Sequence, residues 1–150
     1  MHVVTRALAA TALTALPIAR GSLELLPLYE HMAVTGAWWD HVDEVAHRIA
    51  DLHDAHPDEA AAIVRRWSTS DDLWMRRLSI LSQLGRKDRV DRELLADVIE
   101  PNLADTEFFI RKAIGWALRE VARVDPAWVQ DFVDRHELSP LSRREALKHL

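Results

Sequence analysis

Apolar residues recur at three- and four-residue intervals through most of the chain, and the strict alternation of a half-buried strand is absent. The pattern predicts helices over about 3–16, 23–35, 38–54, 57–67, 71–84, 90–99, 105–123, 126–135 and 140–149. Local chemistry marks the breaks. "HPDEA" places Pro57 and two acids in a first turn, where Pro needs no N–H partner and the dipole favours negative charge. "STSDD" and "LADTE" offer N-cap oxygens before Leu73 and Phe108. "VDPAW" supplies an Asp cap followed by Pro126. Gly85 ends one helix and Pro101 separates two others. The connections are short, so successive helices are predicted to form antiparallel pairs.

The pairs repeat. Trp39, Trp74 and Phe109 are spaced 35 residues apart. Around them "VTGAWWDHVDEVAHR", "TSDDLWMRRLSILSQ" and "ADTEFFIRKAIGWAL" share a helical register, and "SPLSRREALKHL" reads as a further copy. A period near 35 belongs to two-helix solenoids. The expected fold is therefore all-α: one HEAT-like repeat domain over 1–150, built of antiparallel helix pairs stacked into a right-handed array with a concave face. Projected by one period, Arg77 falls on position 42 and Trp116, by two, on position 46. Positions 39, 42, 43 and 46 share a helix face. Trp39, Asp43, Arg77 and Trp116 are thus expected along one surface. The same projection puts Trp74 and Phe109 there and leaves open which of these residues are core. Trp67, Trp74 and Trp128 read as core or repeat-interface residues.

Composition narrows the field. The chain has 150 residues, 49% hydrophobic and 29% charged, with a net charge of −5. That balance suits one soluble domain and argues against a generic nucleic-acid binder, which is usually basic. Yet basic residues cluster at Arg76-Arg77, Arg86-Lys87, Arg111-Lys112 and Arg143-Arg144, where they make local positive fields. There is no cysteine, which excludes disulfides and thiolate chemistry and fits a reducing cytoplasm. The opening "MHVVTRALAATALTALPIARGS" weakly resembles a signal peptide. It is only moderately apolar and too short to cross a bilayer, so a packed helix is expected there, with no membrane partner. His53 and His56 in "HDAH" are an isolated pair without further ligands, and no metal is expected.

"AWWDHVDEVAH" sets two indoles beside Asp40, Asp43 and Glu44. On a helix, Trp39 and Asp43 share a face, and a carboxylate next to a flat aromatic suits a cationic ligand. The same residues also suit an ordinary helix start. Three blocks, "WWDHVDEVA", "DDLWMRRLSIL" and "DTEFFIRKAIGWALRE" running on to "LSPLSRREALKHL", resemble in order and spacing the AlkD branch of DNA alkylation repair proteins, the HEAT-like-repeat alkylpurine DNA glycosylases. The resemblance runs from about residue 5 to the end. Family members usually carry several more N-terminal helices, so the chain is expected to match the C-terminal portion of that fold.

The resemblance implies a monofunctional glycosylase that hydrolyses the N-glycosidic bond of N3- or N7-alkylated purines in duplex DNA. It implies no cofactor, and a monomer is expected. Family functional positions match Trp39, Asp43, Arg77 and Trp116. An N7-alkylated purine leaves as a neutral base, so no acid need protonate it. The oxocarbenium-like sugar needs a negative charge and an oriented water, which one carboxylate, Asp43, can provide. Trp39 and Trp116 would flank the cationic nucleotide, and Arg77 would hold a phosphate. Arg76, Arg111, Lys112, Arg143 and Arg144 are further candidate DNA contacts. The alternatives are a catalytically silent DNA-binding relative, against which the presence of Asp43 argues, and a protein-binding scaffold, which the acidic net charge favours.

Overall fold

A computed structural model describes residues 21–36 and 39–150, and for residues 35, 36 and 39–41 the backbone alone. The helix expected over 3–16, Trp38 and the side chain of Trp39 lie outside the described residues. The described chain is all-helical. Its α-helices are α1 (Leu26–Gly36), α2 (Trp39–Ala55), α3 (Pro57–Trp67), α4 (Leu73–Leu81), α5 (Arg92–Ile99), α6 (Phe108–Ala122), α7 (Pro126–Arg135) and α8 (Pro140–Ala146), with short 3-10 turns at 23–25, 87–89 and 100–102.

Capping decides where several of them begin. Asp72 accepts from the Trp74 and Met75 amides, so α4 starts two residues later than periodicity alone suggests. Asp125 caps α7 through the Trp128 amide and Pro126 occupies the first turn. Before α6, Asp105 accepts from the Glu107 amide, so its carboxylate shapes the approaching turn and the helix starts at Phe108. Gly85 takes the left-handed conformation that follows α4, with φ of 87°.

The helices form two layers. In one, α2, α4, α6 and α8 lie side by side in chain order; α3, α5 and α7 cover them from the other side, and α1 packs on α2 and α4. The covering helices bury one stripe each, such as Ala60, Val64 and Trp67 on α3 or Val129, Phe132 and Val133 on α7. By contrast α4, flanked on both sides, buries Met75 and every residue from Arg77 to Leu81. The 35-residue register becomes physical contact between neighbouring pairs. Asp43 meets Arg77 and Ser68 meets Asn102, each at a separation of 34. Arg65 meets Asp97 at 32, Lys112 meets Glu145 at 33 and Asp54 meets Arg89 at 35. Asp43–Arg77 joins the starts of α2 and α4 while Asp54–Arg86 joins their ends. The two helices therefore run parallel, as equivalent helices of stacked repeats must.

Candidate functional site

Asp43 and Arg77 are each the fifth residue of their helices. The repeat stacks them face to face. Arg77 Nε donates to Asp43 Oδ1 at 3.0 Å and Nη2 donates to Oδ2 at 3.1 Å, a two-pronged pair. The third arm, Nη1, donates to the Phe109 carbonyl on α6 at 2.6 Å. One guanidinium thus ties α2, α4 and α6 together. The side chains of Asp43 and Arg77 are 12% and 4% exposed, so both oxygens of the carboxylate are held in a fixed orientation. The sequence places Arg77 on the surface as a phosphate contact, and the structure places it elsewhere. Arg77 lies inside, because α2 and α6 close over α4 from both sides, and its partner is Asp43.

One aromatic cluster borders the Arg77 side of this pair. Phe109 packs on Trp74 at 5.1 Å between ring centroids and on Phe108 at 5.4 Å, and Arg77 Cζ lies 5.8 Å from the Phe109 ring centre. Trp74 and Phe109 are half-buried at the interface of two repeats, and Phe108 is 56% exposed. Trp116 stands two helical turns beyond Phe109 on α6, half-buried against the core. The backbone of Trp39 opens α2 one turn before Asp43. The arrangement is a buried carboxylate held by an arginine whose guanidinium borders an aromatic cluster.

A model of the DNA alkylation repair enzyme family matches residues 5–150. The chain belongs to that family. It is similar to a solved protein described as a predicted DNA alkylation repair enzyme from Enterococcus faecalis, with 33% sequence identity and a TM-score of 0.80. That likeness covers 86% of this chain and 61% of the other, so the chain spans about three-fifths of that relative's length. No curated protein matches.

In this alkylation repair family member the candidate cations differ in freedom. Arg76 is bound to Asp105 at 3.0 Å and to the carbonyls of Ser70 and Asp71. Arg111 donates from Nε to the Asp105 carbonyl at 2.9 Å. Lys112 donates to Glu145 at 2.9 Å, and Arg119 donates to the other Glu145 oxygen at the same distance. The Lys112 bond holds the Glu145 carboxyl below its ordinary range, although burial opposes it. Arg143 and Arg144 on α8 are exposed and make no ion pair among the described residues. Of the candidate contacts they are the two most available for a phosphate.

Sequence reasoning passed over Phe108 and Glu145 as site residues and saw Asp105 only as a capping oxygen in "LADTE". Their distant neighbours are set by stacking, which leaves no local signal beyond that cap and the doubled Phe of "EFF". His53 is buried, with Nε2 3.1 Å from Ser82 Oγ, and burial with the nearby Arg86 charge lowers its pKa to about 4. Among the described residues no cluster of three metal-ligating side chains occurs, and no helix is long and apolar enough to cross a membrane. An apolar cavity of about 260 Å³, lined by Ile80, Leu84, Val90, Ala117 and Val121, opens at the far ends of α4 and α6, away from Asp43.

Proposed function

We propose that the protein is a monofunctional DNA glycosylase that hydrolyses the N-glycosidic bond of N3- or N7-alkylated purines in duplex DNA. The observation that supports this best is the Asp43 carboxylate, clamped by Arg77, whose guanidinium borders the Phe109 ring. A cationic purine departs unaided by an acid, so the remaining need is a negative charge beside the sugar and a water aimed at it. A carboxylate whose two oxygens are already fixed does this with no reorganisation during the reaction. Each oxygen keeps a lone pair beyond the one Arg77 uses and can orient the water. Arg77 then acts first as the residue that positions Asp43. A phosphate contact would draw on the guanidinium hydrogens that Asp43 and Phe109 leave over. Trp39 and Trp116 are proposed to flank the nucleotide, each ring face stabilising positive charge by about 0.5–2 kcal/mol. Arg143 and Arg144, with Arg76, Arg111 and Lys112 once released from their partners, are proposed to hold the backbone.

The test is release of 7-methylguanine from methylated duplex DNA, comparing the parent with Asp43→Asn. Removing one preorganised electrostatic contact is worth about 3–4 kcal/mol, so excision is expected to fall by about 10²–10³. Affinity for the duplex is expected to hold or improve slightly, since a negative charge has gone. An Asn variant that folds, binds DNA and excises at the parental rate ends the mechanism. A parent that binds duplex without excising it favours the silent DNA-binding reading, and one that binds no DNA favours the protein scaffold that the net charge of −5 suggests.

A further inference from the structure

We infer that α8 is a buttress that sets the position of Trp116, with Gly115 and Glu145 as positioning residues; this rests on the glycosylase reading, in which Trp116 faces the nucleotide. Glycine in the interior of a helix is unfavourable relative to alanine, so Gly115 in the middle of α6 calls for a physical reason. Helix α8 supplies it. A Cβ added at Gly115 would lie 2.5 Å from the Glu145 Cβ, 3.2 Å from the Ser142 carbonyl oxygen and 3.3 Å from the Ser142 Cα. Two of these three neighbours are backbone and cannot swing aside. The missing side chain is what lets α8 reach α6.

The other attachments of α8 fall close around the same point. Ser142 Oγ donates to the Arg111 carbonyl at 2.7 Å. Glu145 accepts from Lys112 through one oxygen and from Arg119 through the other, both at 2.9 Å. Positions 111, 112, 115 and 119 bracket Trp116 within about one turn on either side. Trp116 itself is half-buried: the core holds one part of the indole and the rest is open. Its placement therefore depends on how α6 is seated, and α8 seats it. Relieving a 2.5 Å contact to ordinary packing distance requires a shift of about 1 Å, and a misplacement of that size near reacting groups costs up to about 10²-fold in rate.

The experiment labels the full chain with 5-fluorotryptophan and assigns the Trp116 fluorine resonance with Trp116→Phe. In Gly115→Ala and in Glu145→Gln the Trp116 resonance is expected to move while those of Trp67 and Trp128 stay. Single-turnover release of 7-methylguanine by Gly115→Ala is expected to fall about tenfold or more, with duplex affinity within about twofold. In a Trp116→Ala background Gly115→Ala is expected to cost nothing further, because its effect passes through the indole. If Gly115→Ala fails to fold, Glu145→Gln and Ser142→Ala carry the same measurements. An unmoved Trp116 resonance in the folded variants overturns the inference, as does an equal loss of excision with and without Trp116. A parent that excises nothing defeats the glycosylase reading instead, and the fluorine resonance still decides whether α8 positions Trp116.

Discussion

The two ends of the α2–α4 pair carry the same chemistry in different surroundings. At the leading end Asp43 on α2 meets Arg77 on α4; at the trailing end Asp54 on α2 meets Arg86 and Arg89 just beyond α4. Both are acid–arginine contacts made by the repeat register, at separations of 34 and of 32 and 35. At the leading end the side chains are 12% and 4% exposed; at the trailing end Arg86 is 11% exposed, but Asp54 is 39% and Arg89 60% exposed, so water reaches the carboxylate. Stacking parallel helices is enough to bring opposite charges together at either end. What the pairing is worth depends on the water that reaches it. A surface pair is screened and gains little, whereas a buried pair leaves a stranded charge when one partner is lost.

Substitutions at three positions sharpen that contrast. The largest effect is expected at the buried end. Arg77→Ala strands the Asp43 carboxylate and frees the Phe109 carbonyl, and is expected to cost about 3–5 kcal/mol of stability, read as a lower midpoint in urea. Arg77→Lys keeps the charge but loses the two-pronged geometry, and should recover only part of that loss. If Arg77→Ala unfolds at the parental midpoint, the contact between the leading ends is no more than decoration.

A smaller effect depends on pH and comes from His53, one residue before Asp54. Its pKa is lowered from 6.5 to about 4, by burial first and then by Arg86. The unfolded chain therefore binds the extra proton between these values and the native state does not. Stability is fully present above pH 6.5 and declines as pH falls to about 4, by about 3 kcal/mol in all. Urea midpoints of the parent and His53→Gln, followed from pH 7 to pH 4.5, are expected to diverge in slope, with the parent steeper. Parallel curves would mean that His53 takes up its proton without resistance.

The smallest effect is expected at the exposed end. Asp54→Asn removes the shared partner of Arg86 and Arg89; exposed Arg89 can turn to water, and Arg86 keeps the Gln83 oxygen it already holds. The expected cost is within about 1 kcal/mol and should shrink further in high salt. A loss as large as that of Arg77→Ala would erase the difference between the two ends.

Much of the fold was legible in the amino-acid sequence. Helix periodicity and the caps at Asp72 and Asp125 located the described elements to within a few residues. The 35-residue spacing of Trp39, Trp74 and Phe109 announced the repeat. The candidate site was legible in part. The register that aligns Asp43 with Arg77 was visible, but not that they bond to each other and leave solvent together. Nor was it visible that Arg76, Arg111 and Lys112 have local partners while Arg143 and Arg144 do not. Asp43 also changes meaning: as a surface acid its replacement by Asn would leave stability untouched, whereas a buried pair predicts a lowered melting temperature alongside the kinetic loss.

The sequence by itself determined the features that near neighbours along the chain dictate. Helical periods, capping oxygens, proline and glycine stops and the repeat length are written in its residues, because backbone hydrogen bonds and side-chain stripes act over one or two turns and the same pattern then recurs. Only the tertiary structure decided which charges meet and how much water they keep. Those outcomes depend on residues about 30 positions away, on the near contact that Gly115 permits to α8, and on α4 being covered from both sides. Desolvation is a property of what closes over a group, and no local stretch of sequence contains it.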